Sequence, residues 1–403
     1  MTKNSLLPVK DARTRILAVL KTTRPETVPL AEALGRVLAE EAIARLTQPP
    51  ADLSAMDGYA VRAADIAGVP VRLRVVGSAP AGGAYQSRLE AGEAVRIFTG
   101  APLPHGADAV IIQEDTARDG DIVIVNETAT AGRHVRTTGL DFRTGDTGMP
   151  VGRNLSPADI AFAAAMNLPM LSVYKRPVIA FFSTGDELVR PGSEPGPNQI
   201  ISSNNDGLAA LILEAGGIPC DLGIARDEVD DIRSTAQRAK HADMLVTVGG
   251  ASVGEHDLVR EALTPDGLDI DFWKIAMRPG KPLMFGMYGE LPMLGLPGNP
   301  VSALVCATLF LRPAIARMQG GESALPTTIA HLGESLPANG NRENYIRAGL
   351  DHVAGELPVA TPFEMQDSSM LSALSNASCL IIRPPHADEA KAGSTVTVLP
   401  LRA

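Results

Sequence analysis

Strand-like and helix-like patterns alternate along the middle of the chain, and this alternation constrains the fold more than any other feature. Short apolar runs that read as buried strands are separated by longer amphipathic stretches that read as helices. Such alternation is typical of a parallel sheet with helices on both faces, in which ligands bind beyond the carboxyl ends of the strands. The segment 177–318 is therefore predicted to be a doubly wound α/β domain. Its main predicted strands are 178–182, 220–224, 244–248, 272–277 and 291–295, and its predicted helices are 204–215, 229–239, 255–263 and 300–318.

The rest of the 403-residue chain has a different texture, and a chain of this length usually forms several domains. Apolar residues at helical spacing predict a helix near 9–20, with Asp11 as its N-cap, and another over 29–44. Ser156 and Pro157 predict a further helix start. Short β-type runs separated by Gly and Pro lie between these helical segments and return after residue 319. These strands are 69–78, 94–99, 109–113, 121–126, 344–349, 379–383 and 395–399.

Together these patterns predict a multidomain protein of mixed α/β and β structure. The β-rich segment interrupts the helical segments, so the helical head is expected to be discontinuous. The predicted domains are a helical head (1–50 with 147–176), a β-rich domain (51–146), the α/β domain (177–318) and a small C-terminal β-barrel-like domain (319–403).

Composition and charge exclude several classes of protein. The net charge of −10 argues against a general nucleic-acid binder, which needs a basic face. The three scattered cysteines exclude a disulfide scaffold and a CxxC metal site. No signal peptide is evident, and the longest apolar run, 303–311, is about half the length of a membrane helix. We therefore expect a soluble cytoplasmic protein with no nucleic-acid and no membrane partner.

The usual nucleotide and metalloprotease signatures are missing. There is no GxxxxGK[ST], no strand–helix GxGxxG and no HExxH in the sequence. Any chemistry of the α/β domain must therefore come from its own strand-end loops.

Those loops are rich in glycine and carboxylates. Glycine permits close backbone approach, so amide N–H groups can face an anion. Carboxylate oxygens are the ligands that Mg²⁺ prefers. If the strands are parallel, the loops meet at one edge of the sheet and form a site for a phosphorylated substrate with a divalent metal. The loop carboxylates are Asp186, Glu187, Asp227 and Asp257.

The same loops supply cations and a helix start. Lys274, Arg278 and Lys281 could neutralise phosphate or another oxyanion. Asn299 followed by Pro300 is typical of an N-cap and a first-turn proline. Each feature alone also fits an ordinary turn, cap or solvated surface, and the convergence of the loops is what favours a site.

The β-rich segment contains a second dense region. Asp57 and Gly58 follow a Pro-Pro pair, Thr99 closes a predicted strand, and several arginines surround the sequence Gly-Leu-Asp-Phe at 139–142. Taken alone, Asp57 and Gly58 are typical of a tight turn. The arginines would ordinarily be solvated.

The ordered set SAMDGYAV, FTGAPLP, STGDEL, GGASVGEHD, RPGKP and LPGNPVSAL resembles the molybdopterin molybdenumtransferases, relatives of the gephyrin E domain. The resemblance extends from about residue 10 to 400. It implies insertion of molybdenum from molybdate into adenylylated molybdopterin, release of AMP, and use of a divalent cation, usually Mg²⁺. It further implies an α/β domain of the molybdopterin-binding type and an elongated homodimer whose active site is shared between subunits.

The resemblance implies roles for residues of the β-rich domain. Asp57 matches the aspartate of SAMDGYA and Thr99 the threonine of TGAP. Asp141 and Arg136 match the last and first residues of an Arg-x-x-Gly-Glu-Asp motif. By this resemblance Asp57, Thr99 and Asp141 are catalytic and Arg136 binds substrate.

In the α/β domain the resemblance implies three metal ligands and four catalytic side chains. Glu187, Asp227 and Asp257 match the family's loop acids and would hold the metal. Glu187 would also be catalytic, together with Lys274, Arg278 and Lys281. The other implied substrate-binding residues are Gly249, Gly250, Ser252, Gly254, Pro297, Gly298, Asn299, Arg347 and Ser368.

Three positions depart from the family pattern. Leu140 replaces the glutamate before Asp141, which removes a carboxylate and bears on metal affinity more than on reaction class. Arg278 stands where some members have lysine, and Asp367 before Ser368 replaces a glycine.

Three other functions remain open from the sequence. Tungstate could replace molybdate, because the two oxyanions share charge and shape. The protein could be a non-catalytic scaffold that binds pterin or peptide, although a scaffold would not need these acidic and basic positions. A general phosphate-ester hydrolase on the same α/β core would leave the β-rich segment unexplained.

Overall fold

The computed structural model describes residues 6–250, 258–352 and 354–402. The chain forms two compact units. One unit is Thr27–Val173, and the other combines the chain up to Glu26 with the chain from Tyr174 onward. The four-domain division remains a prediction.

The Thr27–Val173 unit is built on a six-stranded sheet. Its neighbouring strands are antiparallel except for one parallel pair, Val71–Ala79 with Glu93–Ile97. Side chains alternate between two apolar clusters, as a strand period of two requires. The four strands predicted for the β-rich segment are confirmed to within two residues at each end. In sheet order the strands are Ala109–Ile112, Gly58–Val61, Glu93–Ile97, Val71–Ala79, Ile122–Val125 and Thr116–Asp119.

The helix predicted over 29–44 is wrong. That segment contains only the 3-10 turn Leu30–Glu32 and the short strand Ala42–Ile43, which pairs with Thr147–Met149. Its residues Ala33, Leu38, Ala42 and Ala44 are buried in a cluster with Leu155 and other residues, so they pack from irregular and extended backbone. Tertiary packing therefore overrides the helical spacing.

The helix predicted at Ser156 is confirmed as Pro157–Ala165. Ser156 accepts a hydrogen bond from the Asp159 N–H, and the Asp159 carboxylate accepts one from the Ser156 N–H, which completes a capping box. The remaining short strand pairs are Leu53–Ser54 with Val135–Arg136 and Pro25–Pro29 with Met170–Tyr174.

The first helix, Val9–Val19, begins after Pro8, so Asp11 lies in its first turn and is not its N-cap. Its buried residues Val9, Ala12 and Ile16 belong to the main apolar cluster of the second unit. They pack with one face of a six-stranded sheet, and a separate cluster covers the opposite face.

Five strands of this sheet run in the same direction, and only Met284–Tyr288 is antiparallel to its neighbours. The α/β prediction and the meeting of five strand ends at one edge are confirmed. In sheet order the strands are Ile218–Ala225, Val178–Thr184, Met244–Val248, Leu291–Leu296, Met284–Tyr288 and Leu268–Trp273, and the shorter helices are Asn204–Glu214, Val229–Gln237 and Leu258–Leu263.

The strand predicted over 272–277 is shifted. It spans Leu268–Trp273 and ends before Lys274, whose φ of 75° is incompatible with extended backbone. Met277–Arg278 then forms a separate short strand that pairs with Glu343–Asp351.

The most apolar helical segment, Pro300–Met318, consists of Pro300–Cys306, the π-turn Ala307–Leu311 and Arg312–Met318. Its 19 residues are long and apolar enough to cross a membrane by length and composition. However, 72% of the apolar 18-residue stretch within it is buried inside the protein, which is the position of a core helix.

The chain after residue 319 forms a closed five-stranded barrel, which confirms the predicted C-terminal β structure. The barrel closes because Glu343–Asp351 pairs with both Val359–Pro362 and Cys379–Arg383. The helix Leu371–Asn376 and the strand pair Leu188–Val189 with Ile200–Ile201 complete the unit. Around the barrel the strands are Glu343–Asp351, Val359–Pro362, Thr328–Leu332, Thr395–Pro400 and Cys379–Arg383.

Gly58 tests the packing of the six-stranded sheet in the Thr27–Val173 unit. A Cβ atom at this position would overlap the Ile111 carbonyl oxygen, which is backbone and cannot rotate away. Gly58→Ala should therefore lower the free energy of unfolding by about 2 kcal/mol or more, measured by urea denaturation. Gly68→Ala is the matched control, because nothing lies within 4 Å of its Cβ position. Equal stability of the two variants would contradict the sheet pairing described.

Candidate active site

Two adjoining cavities open at the edge of the α/β sheet where five strands end. Their volumes are about 640 and 690 Å³. Pro282 lines both cavities. Asn299, which lines one, donates a hydrogen bond to the Ser368 hydroxyl, which lines the other, at 3.0 Å. We call the cavity that contains Arg347 the cationic cavity and the cavity that contains Asp227 the glycine cavity.

The cationic cavity lies between the sheet edge and the barrel. Arg278 and Lys281 come from the loop after Met277, and Arg347 comes from the barrel strand Glu343–Asp351. The side chains that carry positive charge at this cavity are Arg278, Lys281, Arg342 and Arg347, and the carboxylates that line it are Glu334, Glu364 and Asp367.

Arg347 is the most deeply buried of these cations, with 2% of its surface exposed. Its guanidinium donates to the Gln366 side-chain oxygen at 3.2 Å and to the Asp367 carbonyl at 2.8 Å. No carboxylate lies within ion-pair distance of it among the residues that the structure describes. Burial lowers the pKa of Arg347 although the charge of Asp367 acts to raise it, so the Arg347 charge is only partly compensated. An oxyanion in this cavity would stabilise that charge.

Gly280 fixes the loop between Arg278 and Lys281. Its φ is 104°, and a Cβ atom there would overlap the sulfur of the buried Cys306. Both the backbone conformation and the packing therefore require glycine.

Lys274 lies at the end of its strand with a strained backbone. Its ammonium group is 4.0 Å from the centre of the Trp273 ring, a cation–π contact. Lys274 does not line either cavity, so the structure does not place it with Arg278 and Lys281.

The glycine cavity is lined by the turn at Gly249 and Gly250 and by the helix start at Pro297, Gly298 and Asn299. Gly249 and Gly250 have φ values of 86° and 66°, and a Cβ atom on either would lie about 3.1 Å from the Thr184 hydroxyl oxygen. Asn299 occupies the N-cap position, but its side-chain amide binds Ser368 and caps no helix N–H. Backbone N–H groups at such a turn and helix start suit a phosphate.

Two carboxylates line the same cavity. Glu187 folds back over Gly185, where its oxygens lie 2.6 to 2.9 Å from the position of a Cβ atom. Asp227 lies nearby, and its N–H donates to the Asp186 carboxylate at 3.1 Å. Although Asp227 is an exposed residue, desolvation of its carboxyl, together with the charges of Asp186 and Glu187, raises its pKa. A divalent cation would relieve this repulsion.

Three predicted residues, Ser252, Gly254 and Asp257, lie outside the described residues. No group of three metal-binding side chains occurs in the described ranges. Glu187 and Asp227 are the predicted metal ligands that the structure brings together.

In the Thr27–Val173 unit, Asp57 and Thr99 are joined by hydrogen bonds. One Asp57 oxygen accepts hydrogen bonds from the Thr99 N–H at 2.7 Å and from its hydroxyl at 2.8 Å. These bonds, and the charge of Arg96, lower the pKa of Asp57 despite slight desolvation. Because its pKa is lowered, the Asp57 carboxylate is ionised at neutral pH, and the two bonds from Thr99 orient it. Arg96 is itself held by a hydrogen bond to the Gly58 carbonyl at 2.7 Å.

Arg136 and Asp141 are exposed residues of the same unit, as is Leu140. No ion pair joins Arg136 to Asp141 in the part of the chain described. The neighbouring loop is instead held by Asp52, which accepts hydrogen bonds from the Thr138 N–H and hydroxyl at 2.8 and 2.9 Å.

The sequence reasoning did not select several residues that shape these cavities. Thr184 ends the strand Val178–Thr184, and the loop after it was marked in the sequence by its carboxylates Asp186 and Glu187. Ser202 lies just before the helix Asn204–Glu214 and Asn204 begins it, and polar residues at a helix start are usually caps. Arg342 had no motif to mark it. Thr184, Ser202 and Asn204 line the glycine cavity, and Arg342 lines the cationic cavity.

Family models match nearly the whole chain. The MoeA N-terminal region (domain I and II) matches residues 7–167, a probable molybdopterin binding domain matches 180–317, and the MoeA C-terminal region (domain IV) matches 330–401.

Curated relatives and solved structures agree with these matches. A molybdopterin molybdenumtransferase 2 of Mycobacterium tuberculosis is 37% identical, with 97% of this chain and 98% of the relative covered. A molybdopterin molybdenumtransferase of Bacillus subtilis is 33% identical, with 100% and 96% covered. A crystal structure of a molybdopterin biosynthesis MoeA protein from Pyrococcus horikoshii superimposes with a TM-score of 0.87 at 27% identity, covering 98% of this chain and 100% of that one.

The raised pKa of Asp227 predicts a pH-dependent gain in stability on substitution. A raised pKa means that the charged carboxylate destabilises the folded protein, so the cost appears as pH rises through the folded pKa. Asp227→Asn should therefore raise the Tm at pH 7, by up to about 3 °C, and should make no difference below about pH 3. Differential scanning calorimetry across this range would measure the change.

Asp159→Asn is a control of opposite sign. Burial acts to raise the pKa of Asp159, but hydrogen bonds from Ser156 and Arg153 lower it overall. Its charged form therefore stabilises the fold above the ordinary pKa, and that stabilisation is lost as pH falls through the folded pKa. Asp159→Asn should lower the Tm at pH 7 by about 2 to 4 °C. A stabilising Asp159→Asn or a destabilising Asp227→Asn would contradict the electrostatics described.

Proposed function

The chain belongs to the molybdopterin molybdenumtransferase family, a family of transferases in molybdenum cofactor biosynthesis, and on that premise we propose that it inserts molybdenum from molybdate into adenylylated molybdopterin and releases AMP, with the aid of Mg²⁺ or another divalent cation. The observation that carries the proposal is the pair of adjoining cavities, one lined by cations and the other by glycine turns and carboxylates. A dianionic oxyanion suits the first, and a nucleotide phosphate with a divalent cation suits the second. We expect the reaction to be cytoplasmic.

Molybdate would bind in the cationic cavity. Arg347 offers a buried guanidinium with no carboxylate within ion-pair distance among the described residues and with only the charge of Asp367 opposing its own, and Lys281 and Arg278 add positive charge at the same cavity. Ser368 lines this cavity and is held by Asn299 of the glycine cavity, so it would align the two substrates. Lys274 is held on the Trp273 ring and would reach an anion only by leaving it.

The adenylate phosphate would bind in the glycine cavity. Its contacts would be the backbone N–H groups at Gly249, Gly250 and the start of the helix at Asn299. Such groups stabilise charge on a departing phosphate without needing to reorient.

The residues present fit a divalent cation at Glu187 and Asp227. Mg²⁺ is usually held by one or two carboxylates together with substrate phosphates, so a set of three protein ligands is not required. The raised pKa of Asp227 is the expected mark of carboxylates gathered for a cation. When bound, the cation would stabilise negative charge on the leaving AMP.

The partner subunit of a homodimer would contribute Asp57, Thr99 and Asp141. The lowered pKa of Asp57 makes it a weak base at neutral pH, which favours an orienting role over general-base catalysis. Its bonds to Thr99 fix the direction in which the free carboxylate oxygen points.

The direct test combines purified protein with adenylylated molybdopterin, molybdate and Mg²⁺. AMP should appear only when molybdate is present, and chromatography would quantify it. Release of AMP without molybdate would indicate a phosphate-ester hydrolase. Tungstate added in competition would show which oxyanion the enzyme prefers.

Glu187→Gln keeps the shape of the side chain and removes its charge. The variant should lose about 100-fold or more in kcat, because it removes one of two carboxylates facing the cation. Glu194→Gln is the matched control, since this exposed glutamate lies just beyond the short strand Leu188–Val189 that follows Glu187 and lines neither cavity. If Glu187→Gln turns over like Glu194→Gln, Glu187 takes no part in the reaction.

A shared active site predicts complementation between inactive subunits. Asp57→Ala and Glu187→Gln place their defects in different units of the chain. Mixed dimers would contain one site with both defects and one with neither, so subunit exchange should restore up to about a quarter of wild-type activity. Exchange would be followed with differently labelled subunits. Proven exchange without recovery of activity would exclude a site built from both copies.

A further inference from the structure

Three buried polar atoms of the glycine cavity have no hydrogen-bond partner among residues 6–250, 258–352 and 354–402. They are the Thr184 hydroxyl, the Ser202 hydroxyl and the Asn204 side-chain oxygen. The three residues are 5%, 3% and 6% exposed, and all line the cavity. Buried polar groups are rarely left unpaired, and an unpaired group in a ligand-sized cavity points to a partner on the ligand.

The orientation of the Asn204 amide is fixed by its other end. Its nitrogen donates to the Gly298 carbonyl at 2.9 Å, so its oxygen is the atom left unpaired. An amide oxygen can only accept hydrogen bonds. Apart from a metal cation, the group that binds it must therefore be an O–H or N–H donor.

The neighbouring Asn205 shows that burial alone does not leave such an atom unpaired. Asn205 is 5% exposed, like Asn204. Its oxygen accepts from the Ser183 hydroxyl, and its nitrogen donates to Asp221 at 2.7 Å and to the Gly223 carbonyl at 3.1 Å. Two adjacent asparagines are thus buried alike, but only Asn204 has an unused acceptor.

The position of Asn204 indicates which part of a nucleotide it contacts. Its partner Gly298 packs against Gly249, whose Cα is 3.5 Å from the position of a Gly298 Cβ atom. Asn204 therefore lies beside the glycine turns assigned above to the phosphate. A phosphate oxygen is itself an acceptor and would be repelled by the amide oxygen. In a nucleoside monophosphate, the donors nearest the phosphate are the ribose hydroxyls.

We propose that Asn204 is a specificity-determining residue that accepts a hydrogen bond from a ribose hydroxyl of the adenylate. The Ser202 and Thr184 hydroxyls, which can both donate and accept, bind the remaining ribose oxygens. This inference rests on the proposed function, because it takes the adenylate to be the occupant of the glycine cavity. It adds that the enzyme selects ribonucleotides over deoxyribonucleotides.

Isothermal titration calorimetry with the full-length protein and Mg²⁺ tests this selection. The probes are AMP, 2′-deoxy-AMP, 3′-deoxy-AMP and purine riboside monophosphate, which lacks the adenine amino group. The wild type should bind one of the deoxy analogues about 10- to 100-fold more weakly than AMP. It should bind purine riboside monophosphate about as tightly as AMP.

Asn204→Ala supplies the second half of a double-mutant cycle. The variant should bind AMP about as weakly as the wild type binds the discriminated deoxy analogue, and removal of that hydroxyl should then cost little more. A merely structural role at Gly298 would weaken all four probes equally and leave the hydroxyl effect intact. Asn205→Ala is the matched control, which should lose stability but retain the ribose selection.

Equal wild-type affinity for AMP and both deoxy analogues would overturn the proposal, even if Asn204→Ala failed to fold. Ribose selection that persists in Asn204→Ala would also overturn it, as would a loss confined to purine riboside monophosphate. Wild-type protein that binds none of the probes would refute it as well. The transfer reaction is judged separately by molybdate-dependent AMP release, so failure of ribose selection in an active enzyme refutes this inference alone.

Discussion

The site depends on one backbone constraint, which is the close approach of the Gly249 turn to the strand end at Thr184. Parallel pairing of Val178–Thr184 with Met244–Val248 brings these two loops side by side. A Cβ atom on Gly249 would lie 2.8 Å from the Thr184 carbonyl oxygen, so a side chain there would push the loops apart. Because Gly249 carries no side chain into the gap, its backbone can line the cavity where a phosphate would otherwise meet a side chain.

The strands of this sheet, compared with the segment 29–44, show how much of the fold could be predicted from the sequence. Strands such as Met244–Val248 are buried on both faces, and their continuous apolar runs mark them without ambiguity. The segment 29–44 has equally good helical spacing but contributes to the apolar cluster from irregular backbone. Spacing reports which residues are buried, and the partner that buries them decides the backbone conformation.

Charged residues of the candidate site could be predicted from sequence motifs, but residues whose part depends on the folded geometry could not. Glu187, Asp227, Arg278 and Lys281 line the two cavities. They are conspicuous in the sequence as charged residues at strand ends, and their roles stay predictions. Lys274 is also charged and lies at a strand end, but it has a positive φ and its ammonium group lies over the Trp273 ring. No sequence pattern predicts this contact. Thr184, Ser202 and Asn204 were overlooked, because a buried polar residue resembles a cap until its missing partner is seen.

Charge is separated between the two cavities, and the separation has a chemical consequence. The described residues of the glycine cavity include two carboxylates and no lysine or arginine, whereas the cationic cavity carries the four cations Arg278, Lys281, Arg342 and Arg347 beside the three carboxylates Glu334, Glu364 and Asp367. Desolvation and the neighbouring carboxylates raise the pKa of Asp227, and burial lowers the pKa of Arg347, so each cavity contains a side chain whose charged form is disfavoured. Under the proposed function, a cation with a nucleotide in one cavity and an oxyanion in the other would relieve both. Since Asn299 and Ser368 join the two cavities, these ligands would also be held side by side, which is the condition that a transfer between them requires.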